Sequence, residues 1–359
     1  MKKTRKSRWK KTIAATLTLA MAVSTLLTGC GDKGSEKQDE YVFKIGTANG
    51  SVCMAPLHIA EDNGYLKEEF DAIGIKYELV EIDVQQTADL VASGQIDAGV
   101  GLAGCLLPQI DNGLEITFTA GLHTGCTKYY VKADSDIKSL EDLKGKKIGV
   151  PGVSDSSVIA LKRKLEDLGI KSGNNDMEFE LAAYNMTDLP LALENGAVDV
   201  VAMHDPVATS AEKEYGFRKI LDLTEDEKFK NEYCCTAYVS ANVSKEHADA
   251  AAAYTRALLK ASAYVEANPE KTAELQIKNN HCSGDAAENA KLLASYNYQP
   301  SVSAMRDTFK NAVNDLKEIG DLKTDRDVDE FTDEHVASFD GVPDSYTYNE
   351  DGTFTEIKK

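Results

Sequence analysis

From Tyr41 onward, apolar positions fall into short runs punctuated by Gly, Pro and charge. YVFKIGTA predicts a strand, NGSVCMAPLHIAEDNGYLKEE a loop and helix, IKYELVEID a second strand, and QQTADLVASGQ a second helix. IDAGVGLA predicts a third strand, with EITFTAGL and TKYYVKA as two more. Period-2 runs alternating with period-3.6 runs imply βαβ units and a mostly parallel sheet. A second series opens at KKIGVPGVSDSSVIALKRKLEDLGI and continues through FELAAYN, LPLALENGAVDVVAMHDP and RKILDL to CTAYVSANVS. One module thus occupies about 48–130 and another about 131–234. From Lys245 the pattern is helical (KEHADAAAAYTRALLKASAYVEA, PEKTAELQIKNN, AAENAKLLASYN, SAMRDTFKNAVNDLKEIG), and this part is expected to pack back on the first module.

Upstream lies MKKTRKSRWKK, then an apolar run from Thr12 to Leu27, then Thr28-Gly29-Cys30. A basic head, an apolar run too short to span a bilayer comfortably and a small-residue cleavage site make 1–29 a signal peptide. Leu27-Thr28-Gly29-Cys30 resembles a bacterial lipobox, in which the cysteine becomes the mature N-terminus and carries diacylglycerol on its sulfur, giving durable membrane anchoring. Residues 30–40, polar and without a β-branched residue, read as a disordered tether. The seven Lys and Arg before Thr12 leave with the signal, taking the formal charge from −19 to −26. Nucleic acid and anionic membrane surfaces are poor partners for such a field. The remaining chain exceeds what one core supports, so two lobes are expected. Trp9, the single tryptophan, is lost on export, leaving Tyr and Phe for any stacking.

The order of these segments resembles the substrate-binding proteins of ABC importers for nitrate, aliphatic sulfonates, taurine and the thiamine pyrimidine. GYLKEE followed by IKYELVE is similar to that family's opening helix and second strand, and LVASGQIDAGVG to its next helix-to-strand step. IKSLEDLKGKKIGVPGVSDSS resembles its lobe-crossing element, LENGAVDVVAMHDPVAT its cleft-facing strand, and the stretch from YVSANVSKEH to PEKTAEL its returning strand and long helix. The run Leu143 to Val150 is the most specific motif. The resemblance implies an α/β, two-lobe periplasmic-binding-protein-like fold (type II), each lobe a mixed sheet flanked by helices with the ligand cleft between them. It places 41–128 and 240–345 in lobe 1, 129–239 in lobe 2 and 346–359 in a tail. The lobes are expected to join through strands near Thr127 to Lys132 and Cys235 to Ala241. It implies a monomeric, non-enzymatic, lipid-anchored protein on the extracytoplasmic face of the cell membrane. Such a protein hands a small organic solute, sulfonate-like, taurine-like or thiamine-pyrimidine-like, to an ABC permease and its ATPase.

Ligands of open α/β sheets sit at the carboxyl ends of strands. Here those ends are 48–55, 83–87, 103–108, 122–127, 152–157, 185–188, 203–206 and 233–236. Candidate ligand-binding residues are Asn49, Ser51, Gln85, Gln86, Thr87, Gly104, His123, Ser154, Ser156, Ser157, Asn185, His204 and Asp205. Ser154 to Ser157 open a helix, where backbone N–H groups and hydroxyls can hold an anion or simply cap. The segments contain no Lys or Arg but do contain Asp83, Asp155, Asp188 and Asp205. This shifts weight toward a neutral or cationic heterocycle stacked on Tyr184 or Tyr233.

Six cysteines follow Cys30, and Cys53, Cys105, Cys126, Cys234 and Cys235 fall at predicted strand ends, with His123 and His204. Thiolate and imidazole suit a metal, with His123, Cys126, Cys234 and Cys235 as ligands. Disulfides or buried thiols are the competing account, and six cysteines admit fifteen pairings. The pattern requires no cofactor, and a bound metal or metal complex is the alternative the cysteines leave open. His58 and His247 read as structural or solvated. The fold family also includes a pyrimidine synthase that consumes its own histidine and has a cysteine-rich iron motif. Cys234-Cys235 is only a faint echo of it, and the export signal argues against a biosynthetic role.

Overall fold

The computed structural model describes residues 41–358. The signal peptide, tether and Cys30 lie outside the described residues. Strands are β1 (Val42–Thr47), β2 (Lys76–Glu81), β3 (Ala98–Leu102), β4 (Ile116–Thr124), β5 (Thr127–Val131) and β6 (Lys147–Val150). They continue with β7 (Glu180–Ala183), β8 (Val200–His204), β9 (Arg218–Asp222), β10 (Tyr233–Ser240), β11 (Ser345–Tyr348) and β12 (Phe354–Ile357). Helices are α1 (Ala55–Asp62), α2 (Tyr65–Ile73), α3 (Thr87–Ala92), α4 (Ala103–Asp111), α5 (Ser156–Asp167), α6 (Leu189–Glu194) and α7 (Val207–Tyr215). After β10 come α8 (Ala241–Glu246), α9 (Ala248–Ala267), α10 (Pro269–Lys278), α11 (Ala286–Ser295), α12 (Val302–Ile319) and α13 (Val328–His335). No helix among the described residues is long and apolar enough to cross a membrane.

Two five-stranded sheets result, ordered β2-β1-β3-β10-β4 and β7-β6-β8-β5-β9. In each, three adjacent strands pair in parallel, as βαβ crossovers dictate. β10 runs antiparallel to β3 and β4 in the first, and β5 antiparallel to β8 and β9 in the second. Each sheet is buried on both faces. In the first, Phe43, Ile45 and Leu57 pack with Tyr254 and Leu258 of α9. Across the sheet, Phe118 and Tyr238 pack with Phe309 and Leu316 of α12. The second sheet shows the same division through adjacent residues: Tyr129 faces the α5 side with Leu161, and Tyr130 the α6 side with Leu193. Successive strand side chains point to opposite faces, which produces this split.

The chain passes between sheets at Gly125-Cys126 and again over 223–232. Each crossing lies just before an antiparallel strand, β5 or β10, upstream of the segments expected to carry it. Thr127–Val131 is already inside the second sheet. Tyr233–Ser240, assigned by sequence to a second lobe ending at 239, is hydrogen-bonded within the first. The segment from Ile137 through β6, likened to a lobe-crossing element, packs within the second sheet's core. The helical C-terminal part does cover the first sheet. Ala250 to Ala253 on α9 are all buried, the small side chains allowing close approach. The expected tail over 346–359 is instead largely the hairpin β11–β12, turning at Asn349 and Gly352.

Candidate functional site

The first crossing shapes the site. Gly125 has φ 64, and a Cβ on it would lie 2.3 Å from Thr224 Cγ2, so glycine suits the position on both counts. Cys126 follows at φ 144, a backbone state that side-chain-bearing residues rarely adopt and that tends to persist at functional sites. The bend puts its Sγ 3.0 Å from Cys234 Sγ and 3.8 Å from His204 Nδ1. Because β10 is antiparallel, its start lies at the carboxyl edge of β3, where Cys235 pairs with Leu102. Cys53, in the single 3-10 turn before α1, completes the group. The sulfurs of Cys53, Cys126 and Cys235 lie within 4.8 Å of one another, and all three residues are buried. The six described cysteines are free thiols.

Opposite stands the end of β8 and the start of α5. Asp155 caps α5, accepting from Ser157 N at 2.9 Å and Ser157 Oγ at 2.6 Å. Its Oδ1 also lies 2.9 Å from His204 Nε2, while His204 Nδ1 lies 2.9 Å from Thr127 Oγ1. Burial works against charge on both partners, but their mutual attraction wins. The Asp155 carboxyl is held below its ordinary range and the His204 imidazole well above its own. The Cys234 thiol is drawn down to about 6 by hydrogen bonding with Cys126, and then with Cys235.

Asp205 next to them is buried and fully engaged: Lys128 Nζ at 2.6 Å and Tyr296 OH at 2.8 Å on Oδ2, Thr209 N and Oγ1 on Oδ1. The Tyr296 bond crosses between lobes, as does Ser51 Oγ donating to the Asp205 carbonyl at 3.4 Å. The carboxyl edges of the two sheets therefore face each other. Gln85 Oε1, beyond β2, lies 3.2 Å from where a Cβ of Gly152, beyond β6, would stand. Between the lobes a cavity of about 50 Å³ is lined by Gly104, Ser156, Ile159, Arg163, Tyr233 and Cys234, among others. A larger one of about 350 Å³ lies elsewhere, beside Phe339, Pro343 and Glu356.

The NMT1/THI5-like family model matches residues 52–272. The chain belongs to the NMT1/THI5-like family. Among solved structures it is similar to the periplasmic aliphatic sulphonate binding protein of Escherichia coli, with 18% identity, 83% of this chain and 92% of that one covered, and TM-score 0.67. It is similar to a ligand-binding component of an ABC-type import system from Staphylococcus aureus solved with zinc bound, at 17% identity, 83% and 97% coverage and TM-score 0.65. The periplasmic nitrate-binding protein of Synechocystis PCC 6803 follows at 15% identity, 83% and 86% coverage and TM-score 0.66. These establish a periplasmic-binding-protein-like fold. No curated protein matches the chain by sequence.

In this NMT1/THI5-like protein, Ser51, His204, Asp205, Cys126, Cys234 and Cys235 gather at one place. His123, expected to be a metal ligand, does not join them. Its two ring nitrogens lie 3.1 Å from the carbonyls of Thr124 and Cys53, and its ring packs against Tyr296 and Tyr298. It braces the loop that carries Cys53. Ser156 and Gly104 line the interlobe cavity, whereas Ser157 is consumed in the Asp155 cap. Gln85, Gln86 and Ser154 are exposed at the rim. Thr87 turns inward to the carbonyl of Val84. Asn49 reaches Glu81 and His281, and Asn185 reaches Asp188, both exposed and remote from the thiols.

The Tyr233 ring sits over Gly121, only 2.2 Å from a Cβ placed there, which occupies one of its faces. Tyr184 packs against the second sheet's apolar layer. Sequence reasoning missed Cys53 as a member of the cluster, and Lys128, Thr127 and Tyr296 as supports. Lys128 and Arg163, two cations near the cleft, are both neutralised, Lys128 by Asp205 and Arg163 by Glu232 and Asp315.

Proposed function

We propose that this chain is the extracytoplasmic, lipid-anchored solute-binding component of an ABC importer. It captures a small solute between its lobes, presents it to a permease and performs no chemistry on it. The observation that carries the reading is the facing of two carboxyl edges across paired crossings, with two lobe-to-lobe hydrogen bonds meeting at Asp205. Ligand bridging the edges would favour the closed form as a population shift. Family membership supports this class of function. The similar structures include proteins named for sulphonate and nitrate and one solved with zinc bound, on one fold at 15–18% identity, so the cargo must be read from this cleft.

Membrane attachment rests on the Leu27 to Cys30 lipobox resemblance, and substitution Cys30→Ala is expected to release the protein from the membrane fraction. The solute reading is tested by melting the mature chain against sulfonates, taurine, pyrimidines and metal ions. A bound species raises Tm by mass action and contracts the particle in small-angle scattering. No shift and no contraction with any of them would sink it.

A further inference from the structure

Thiols buried singly in a core serve as small hydrophobes. Four converging from three separate stretches, the turn before α1, the first crossing and the start of β10, are not explained by packing. The group of Cys53, Cys126 and Cys235 contains sulfur donors alone, with no carboxylate among them. Sulfur-only donor sets select soft ions over Mg²⁺ or Ca²⁺. With metal–sulfur bonds of ~2.3 Å, sulfurs of a trigonal or tetrahedral shell stand about 3.8–4.0 Å apart. A mutual spread within 4.8 Å accommodates that shell with little movement. Cys234, outside that group but 3.0 Å from Cys126, can supply a fourth sulfur once this contact opens to the spacing of a metal shell. The interlobe cavity of about 50 Å³ reaches the group only at Cys234, and Cys53, Cys126 and Cys235 do not line it. Organic ligands call for pockets of roughly 300 Å³ or more.

We propose that the cargo of this cleft is a soft metal ion of the Cu(I) or Zn(II) class, bound by Cys53, Cys126 and Cys235 with Cys234 as fourth donor. The inference rests on the solute-binding reading and names its cargo. Binding transfers no electron: each ligating thiol releases its proton to solvent as its metal–sulfur bond forms. His204 is not a donor, because Asp155 and Thr127 occupy its two nitrogens. With Asp155 it forms the second-lobe wall that closes over the sulfurs.

The test uses the mature chain purified under reductant without chelator, then titrated anaerobically with Zn(II) against a chromophoric chelator and with Cu(I) against a copper(I) chelator. One ion per chain is expected, together with thiolate-to-metal charge-transfer absorption on Co(II) substitution. Cys53→Ser/Cys235→Ser removes two donors and should weaken binding by more than the roughly 10–100-fold that loss of an outer-shell partner costs. Cys282→Ser, whose sulfur meets Asn289 and lies outside the group, should change nothing. Cys53→Ala/Cys235→Ala repeats the measurement if the serine variant does not fold, with circular dichroism as the check. The inference is overturned if neither ion is retained against chelator, if the double variant binds as tightly as the parent, or if thiols trapped at lysis show a Cys126–Cys234 disulfide. An organic solute that stabilises the double variant as well as the parent, with no ion bound, would remove the metal and leave the solute-binding reading standing. Failure of every solute and ion to close the lobes would remove both.

Discussion

The two edges that meet at the cleft are built from opposite materials. The first lobe presents the thiols of Cys53, Cys234 and Cys235 on a floor braced by His123, Tyr296 and Tyr298. The second presents Asp155 with His204 and Lys128 with Asp205, four ionisable groups largely removed from water. Burying charge is costly unless each ion is paired and hydrogen-bonded. Every one of these is paired within its own lobe. The second edge is thus electrostatically complete before closure, and only Tyr296 and Ser51 reach across to Asp205. Closure must draw its selectivity from the first lobe and the Cys126 crossing.

If the second edge is self-contained, breaking one of its pairs should destabilise the fold more than it changes ligand binding. Asp205→Asn leaves Lys128 buried without its counter-ion, and a loss of about 3–5 kcal/mol is expected in urea unfolding. A loss below about 1 kcal/mol would mean that Lys128 finds water, and the contrast between edges would fail.

Acid should reveal the first lobe instead. His58 is buried, its Nε2 lying 3.1 Å from the Ala48 carbonyl and its Nδ1 3.0 Å from Gln276 Nε2, and its ring stacks on His281. Burial, and then the neighbouring His281, push its pKa down to about 3. A histidine depressed in the folded state favours folding at pH above its unfolded value near 6.5, and that contribution is lost as pH falls toward 3. Between those values stability should decline by up to about 1.4 kcal/mol per pH unit. His58→Gln should flatten that part of the profile in a melting series from pH 7.5 to 4.5. An unchanged slope would show that His58 stays hydrated.

The architecture was largely legible because it is written in local periodicity: alternating strands and helices, then helices alone. What escaped depends on contacts distant in sequence. Nothing in YCCTAYVS announces that it runs antiparallel between β3 and β4, so the crossing was placed too late and the boundary at 239 fell inside the first sheet. The C-terminal hairpin did leave a signal, alternating residues on either side of an Asp351-Gly352 turn. At the site, the residue types were readable but their company was not. His123 resembled a ligand because it stands three residues before Cys126, yet strand β4 is buried along its whole length and turns that ring into the core. Cys53, seventy-three positions away, reaches the cluster only through the fold.

A smaller effect probes the bonds that do cross. Tyr296→Phe removes the hydroxyl that donates to Asp205 while keeping the ring against His123, and Asp205 keeps Lys128 and Thr209. About 1.5–3 kcal/mol is expected, the net value of a hydrogen bond to a charged group, appearing as a wider scattering radius for the unliganded protein. No change in radius would assign closure to other contacts.

The weakest of those contacts should be Lys213 with Glu288, which joins the second lobe to α11 at the rim, where both side chains are more than a third exposed. Exposed pairs are worth about 0–1 kcal/mol and are screened by salt. Lys213→Ala should therefore leave urea stability within about 0.5 kcal/mol of the parent and alter closure only at low ionic strength. A larger effect, persisting in high salt, would mean that a rim charge governs closure. The buried latch at Asp205 would then be secondary, and the division of labour between the two edges would have to be reversed.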